Sequence, residues 1–292
     1  MRAGRLKTRT YKTRRGGAGR ALLLILLAAF LALGARLWRG GTALSLPFSA
    51  PRAAASPTLR ESPRESRQIT LPGKTWYALQ MAASDAETAA RQQADGLRSR
   101  GAAGYLYREE LYRVLGAAYE TRSDAQKVQN QLRLLHGIEV RVVDISRPEI
   151  TLRLTGQADQ LTALEDAYGL VDQAAEQLSA LSQALDGRTM TGQAILPALT
   201  SQRDTAEALS SRLAELFGGE MPAAVQEMKT LLDDLALEIG TALSARTDTA
   251  LGAQIKYCQL LCVCRMAACA RALAGASALT AAGCTWGRAG AC

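Results

Sequence analysis

Trp76-Tyr77-Ala78-Leu79-Gln80-Met81-Ala82-Ala83 runs directly into Ser84-Asp85-Ala86-Glu87, and the pattern returns as Tyr112-Arg113-Val114-Leu115-Gly116-Ala117-Ala118 followed by Ser123-Asp124-Ala125-Gln126. Each copy pairs a Tyr-led apolar stretch, which reads as a strand, with a Ser-x-x-Glu/Gln signature. That signature is a capping box: the Ser hydroxyl takes an orphan helix N–H and the residue three on reaches back. Apolar residues then recur at helical spacing, Ala86, Ala89, Ala90, Ala94 and Leu97 in one copy and Ala125, Val128, Leu132 and Leu135 in the other. Such stripes belong to helices lying on a sheet, and Gly101 and Gly137 stand where C-caps are expected. A second strand follows each helix, Gly104-Tyr105-Leu106-Tyr107 and Ile138-Glu139-Val140-Arg141-Val142-Val143. The order βαββαβ over residues 74–147 predicts an α+β fold, one four-stranded antiparallel sheet with both helices on one face.

Strand alternation sorts the side chains of that sheet. With Leu79, Met81, Leu106, Val114, Val140 and Val142 turned to the helices, Ala78, Gln80, Tyr105, Tyr107, Arg113, Leu115 and Arg141 face water. Tyr, Gln and Arg side by side suit a sugar or an extended polymer, because rings stack on apolar sugar faces while amides and guanidinium groups hydrogen-bond hydroxyls and carboxylates. An ordinary solvated sheet face is the competing reading, and alternation alone does not separate the two.

The span from Trp76 to Ile145 resembles a SPOR domain, a bacterial module of this size with a βαββαβ, RNP-like topology. The resemblance rests on Tyr77-Ala-Leu-Gln80-Met-Ala-Ala in the first strand, Tyr112-Arg113-Val114-Leu-Gly116 in the third, and Ala125 at the start of the second helix. It implies binding to peptidoglycan, in that family to glycan strands stripped of stem peptides, at places such as the division septum. By position, Gln80 is the first-strand glutamine and Arg113 lies in the third-strand motif. Ala82 replaces the usual glycine, and Ala83 stands where many members carry a serine near the glycan. The candidate glycan-binding set is therefore Gln80, Ala83, Tyr105, Tyr107, Arg113, Leu115 and Arg141.

The net charge of +8 is concentrated at one end of the chain. Residues 1–73 hold 14 Lys+Arg against Glu61 and Glu65, a balance of +12, and the remainder carries −4. A mildly acidic body removes the main support for nucleic acid as a partner. Eight basic residues precede Ala21-Leu-Leu-Leu-Ile-Leu-Leu-Ala-Ala-Phe30-Leu-Ala-Leu-Gly-Ala-Arg-Leu37, with Trp38 and Arg39 behind it. This predicts one transmembrane helix over 21–38, with residues 1–20 cytoplasmic and the body beyond the membrane. A cleaved signal peptide, with Ala32-Leu-Gly-Ala35 near the cut, is the alternative, and both imply export. Five of the eight prolines fall in residues 39–73, which reads as a spacer.

Beyond Pro148, Ile150-Thr151-Leu152-Arg153-Leu154 reads as a further strand with no evident place in the sheet. Four helical segments follow over 148–273, broken at Gly187, at Gly218-Gly219 with Pro222, and near Arg246-Thr247-Asp248. They predict hairpinned helices, either a self-contained spacer or, through residues 158–273, a surface for a protein partner or a second copy. The last carries Leu251, Ile255, Cys258, Cys262 and Cys269 on one stripe. All six cysteines lie in the last 35 residues, where small apolar packing is the expected role. Residues 274–292, rich in Ala and Gly, are expected to be disordered. With His136 the single histidine, no His cluster or triad can form within one subunit. The expectation is a binding protein rather than an enzyme, with no cofactor and no metal.

Overall fold

Strands form where the apolar runs predict them, and their hydrogen-bonded order follows the duplicated pattern. The computed structural model describes residues 64–219 and 221–281, with side chains as far as residue 274. The expected anchor over 21–38 and the basic tail before it lie outside the described residues.

The four-stranded sheet contains β2 (Lys74–Ser84), β3 (Tyr105–Arg108), β4 (Tyr112–Tyr119) and β5 (Arg141–Arg147) in the order β3-β4-β2-β5, all neighbours antiparallel. Helices α1 (Glu87–Arg98) and α2 (Arg122–His136) lie between the strands in sequence, which completes βαββαβ. The capping boxes are displaced from the predicted sites. The hydroxyl of Ser84 accepts from the Ala86 N–H at 3.1 Å while Ser84 itself still belongs to β2. At α2 the cap is Thr121, whose Oγ1 accepts from the Asp124 N–H at 3.1 Å, so Thr121-x-x-Asp124 takes the place expected of Ser123. Gly137 closes α2 at φ 64°, a left-handed conformation favouring glycine. The final strand begins at Arg141, not Ile138.

Two compensating irregularities interrupt the β2–β4 register. Ala78 pairs with Ala118, Gln80 with Leu115 and Ala82 with Val114, which leaves one residue over on β4 and then Met81 over on β2. A bulge switches the side-chain alternation beyond it. Ala82, rather than Met81, therefore joins Val114, Ala90 and Ala94 under α1. Met81 lies over Gly116, where an added Cβ would come within 2.7 Å of its Cγ.

The spacer reading for residues up to 73 ends early. β1 (Arg64–Leu71) pairs antiparallel with β6 (Ile150–Gln157), the strand that had no evident place, as a separate two-stranded ribbon. Its buried Ile69, Leu71 and Ile150 enter the main core. The helices that follow break where glycine and proline mark the sequence: α3 (Ala158–Asp186), α4 (Gly192–Phe217), α5 (Ala223–Leu243) and α6 (Asp248–Ala281). The last continues past the expected start of the tail.

α6 decides the architecture. It packs on α3 and α5 and also on β3, β4 and β5, so the sheet is a middle layer between α1/α2 and the bundle. Residues 248–274 are long and apolar enough to cross a membrane, with mean hydropathy 1.3 over their most apolar window, yet over half of that window is buried. A helix apolar all round is what a position between two layers requires. Cys258, Cys262 and Cys264 are buried free thiols along it, while Cys269 is half-buried.

Candidate functional site

The pairing register brings all seven predicted residues into two adjacent rows across the sheet. Tyr105 of β3 is opposite Leu115 of β4, Leu115 opposite Gln80 of β2, and Gln80 opposite Arg141 of β5. The second row runs Tyr107, Arg113, Ala83. The bulge at Met81 lets Gln80 and Ala83, three residues apart, serve the same face, an outcome that simple alternation forbids.

That face is not open, and here the sequence expectation is corrected. Leu115 is 0% exposed, Ala78 0% and Tyr105 9%, all within the core shared with α6. The Tyr105 ring meets Tyr257 of α6 at 5.3 Å between centroids and 58° tilt. Burial pushes the Tyr105 hydroxyl well above the ordinary phenol range, so it stays protonated. Gln259 of α6 is itself buried and donates to the Ala118 carbonyl of β4 at 3.0 Å. Lys256 donates to the carbonyl of Gly101, before β3, and to Asp186 of α3, both at 3.0 Å. Farther along, Arg271 donates to the Tyr107 hydroxyl at 2.9 Å. Tyr107 is half-buried, and that burial raises its pKa against the lowering effect of Arg271.

The remaining residues of the rows sit toward the rim. Ala83 and Arg141 are exposed, while Gln80 and Arg113 are half-buried. Arg113 forms an ion pair with Glu109 at 2.9 Å. A ligand meeting the sheet with α6 in place reaches Ala83, Arg113 and Arg141 and does not reach Leu115 or Tyr105.

Residues 73–143 match the family model of the SPOR domain, from just before β2 into β5. The chain contains a SPOR domain. The match covers about a quarter of the 292 residues and coincides with the βαββαβ unit. SPOR is a family of peptidoglycan-binding domains of cell-division proteins, a binding module and not a catalytic one. No curated protein and no solved structure matches the chain.

The residues that sequence reasoning missed are those of α6 that meet the SPOR sheet, Lys256, Tyr257, Gln259 and Arg271. The signal for a cover lay on the sheet's side of the contact. β2 and β4 are apolar on both faces, through Trp76, Ala78 and Leu79 in one and Val114, Leu115, Ala117 and Ala118 in the other. Near-continuous apolar strands mark a sheet covered twice.

Proposed function

We propose that this protein is a membrane-tethered component of the bacterial cell envelope that binds peptidoglycan glycan strands through its SPOR domain and acts in division or sporulation. The observation that carries the reading is the coincidence of the SPOR match over 73–143 with a complete βαββαβ unit. The basic tail and the apolar run over 21–37 support the tether, with the body beyond the membrane. Binding, not catalysis, is the work of the family.

The test is a pull-down of the detergent-solubilised full chain on purified peptidoglycan, with and without amidase treatment that removes stem peptides. Retention that increases on the stripped glycan supports the reading; no retention on either form sinks it.

One observation favours a second reading. α6 closes the inner part of the sheet face, so an envelope scaffold whose helical region recruits a protein partner, without glycan affinity, also fits the fold. In the same pull-down that reading requires the parent protein to pass through unretained.

A further inference from the structure

Covering the sheet creates a groove elsewhere. Where α1 faces the bundle, an open cleft of about 520 Å³ is lined by Arg98, Tyr105, Asp234, Glu238, Tyr257 and Arg265 among others. A second hollow of about 380 Å³, toward the C-terminal end of α5 and the start of α6, shares Asp95 and Arg98 with the first. The larger volume lies within the roughly 300–1,000 Å³ of ordinary ligand sites. Two hollows meeting at the same two residues form a track rather than a pit, the shape an extended chain of sugars needs.

Arg98 stands at that meeting point. Its guanidinium lies 4.8 Å over the Tyr257 ring, and its Nε donates to the Ala103 carbonyl at 3.3 Å. Among the described residues no carboxylate pairs with it, whereas its neighbours Arg91 and Arg265 are engaged, the first by Glu87 at 2.5 Å and the second by Asp234 at 3.5 Å. A half-buried guanidinium that lies over a ring and lines both hollows, with no carboxylate paired to it among the described residues, can take a two-pronged carboxylate. β3 forms the floor and is the edge strand of its sheet. Gly104 at its start allows the close approach to α1, since a Cβ there would come within 2.4 Å of the Ala94 carbonyl oxygen.

We propose that the groove between α1 and the bundle binds an acidic glycan, with Arg98 gripping a sugar-borne carboxylate and Asp95 accepting from ring hydroxyls. This deepens the peptidoglycan reading and rests on it. The glycan backbone carries a lactyl ether on every second sugar, and amidase removal of the stem peptide frees its carboxylate. The groove would supply a preference for stripped strands, sharing only the edge residue Tyr105 with the covered part of the sheet face.

The experiment compares the solubilised full chain with Arg98→Ala, Arg98→Lys and Asp95→Asn on amidase-treated peptidoglycan, and on the same material after carbodiimide amidation of its carboxylates. Loss of a charge-assisted fork lowers affinity roughly tenfold to a hundredfold, so Arg98→Ala should lose binding by that factor. Arg98→Lys should recover only part of it, and the parent should ignore amidated glycan. Asp95 is exposed and carries no ion pair among the described residues, so Asp95→Asn leaves the fold undisturbed and should weaken binding a few-fold. Parental retention by both Arg98→Ala and Asp95→Asn, or undiminished binding to amidated glycan, overturns the groove and leaves the peptidoglycan reading standing. Failure of the parent itself to bind overturns that reading and the groove with it.

Discussion

On one face of the SPOR sheet, α1 and α2 bury Ala90, Ala94, Val114 and Ala125, with Leu79 the one large side chain buried there to 2% exposure. On the other face, α6 and the bundle bury Trp76, Leu115 and Ile145 to 4% exposure or less. α2 leaves Leu134 and Leu135 at 76% and 74% exposure. Hydrophobic stabilisation scales with apolar area removed from water, so the weight of the core lies on the side facing the bundle. The face that sequence alternation assigns to ligand is the face that holds the domain to the rest of the protein.

The sharpest way to break this comparison is to remove the bundle. Residues 64–157 expressed alone expose Trp76, Leu115 and Ile145 and retain only a small core of alanines with Leu79 and Val114, and a unit of that size is marginal even when well packed. The fragment is expected to lack a cooperative urea transition and to show collapsed amide dispersion in NMR. A sharp transition with native-like dispersion would show that α1 and α2 suffice.

Next in size is the polar tie between the halves. Arg147 at the end of β5 has a side chain only 5% exposed; its fork meets both carboxylate oxygens of Asp172 in α3, and its Nε donates to the Pro72 carbonyl at 3.0 Å. Asp172→Ala leaves that charge buried without its partner, which costs about 3–5 kcal/mol. Chemical denaturation should register most of this, and a change below about 1 kcal/mol would mean the tie is solvated.

A pair of leucines then compares the faces directly. Leu115→Ala removes a fully buried side chain facing α6 and should cost about 2–5 kcal/mol. Leu134→Ala on α2 should stay within about 0.5 kcal/mol. Equal losses would mean that the two faces contribute alike.

Most of the SPOR half was legible because its signals are local: two Tyr-led strands, two apolar stripes, and Gly137 at a left-handed C-cap. The breaks of the bundle were legible for the same reason. The pairing of β1 with β6 was hidden because the partners lie about 80 residues apart, Leu71 opposite Ile150, and β1 shares its sequence neighbourhood with proline. The bulge at Met81 was hidden as well, since alternation assumes an unbroken register, and yet the bulge puts Gln80 and Ala83 on one face. The cover over Leu115 required knowing which of many apolar surfaces meet. The double-sided apolarity of β2 and β4 announced that something would cover the sheet, and nothing local in the sequence named α6.

Titration offers the gentlest test, because the groups displaced by folding differ between the faces. Burial, with Asp172 second, pushes the Cys262 thiol of α6 up to about 12, and burial pushes the Tyr105 hydroxyl of β3, which faces α6, in the same direction. Cys258 and Cys264 move in the same direction for the same cause. In the unfolded chain these thiols ionise near about pH 8.5 and tyrosines near about pH 10. Above those values the unfolded state binds fewer protons than the native one, so stability is intact below about pH 8.5 and falls as pH climbs toward about 12. On the α1/α2 side the signs reverse: Glu87 is held low by Arg91, and Asp124 by Lys127 and the Thr121 hydroxyl. Their contribution is present at neutral pH and fades on acidification, weakly, because both are exposed to solvent screening. Urea midpoints measured from pH 4 to pH 11 should therefore fall more steeply on the alkaline arm. Cys262→Ala should flatten that arm while leaving the acid arm unchanged. An alkaline arm as steep in Cys262→Ala as in the parent would show that the thiol is not what couples the α6 face to pH.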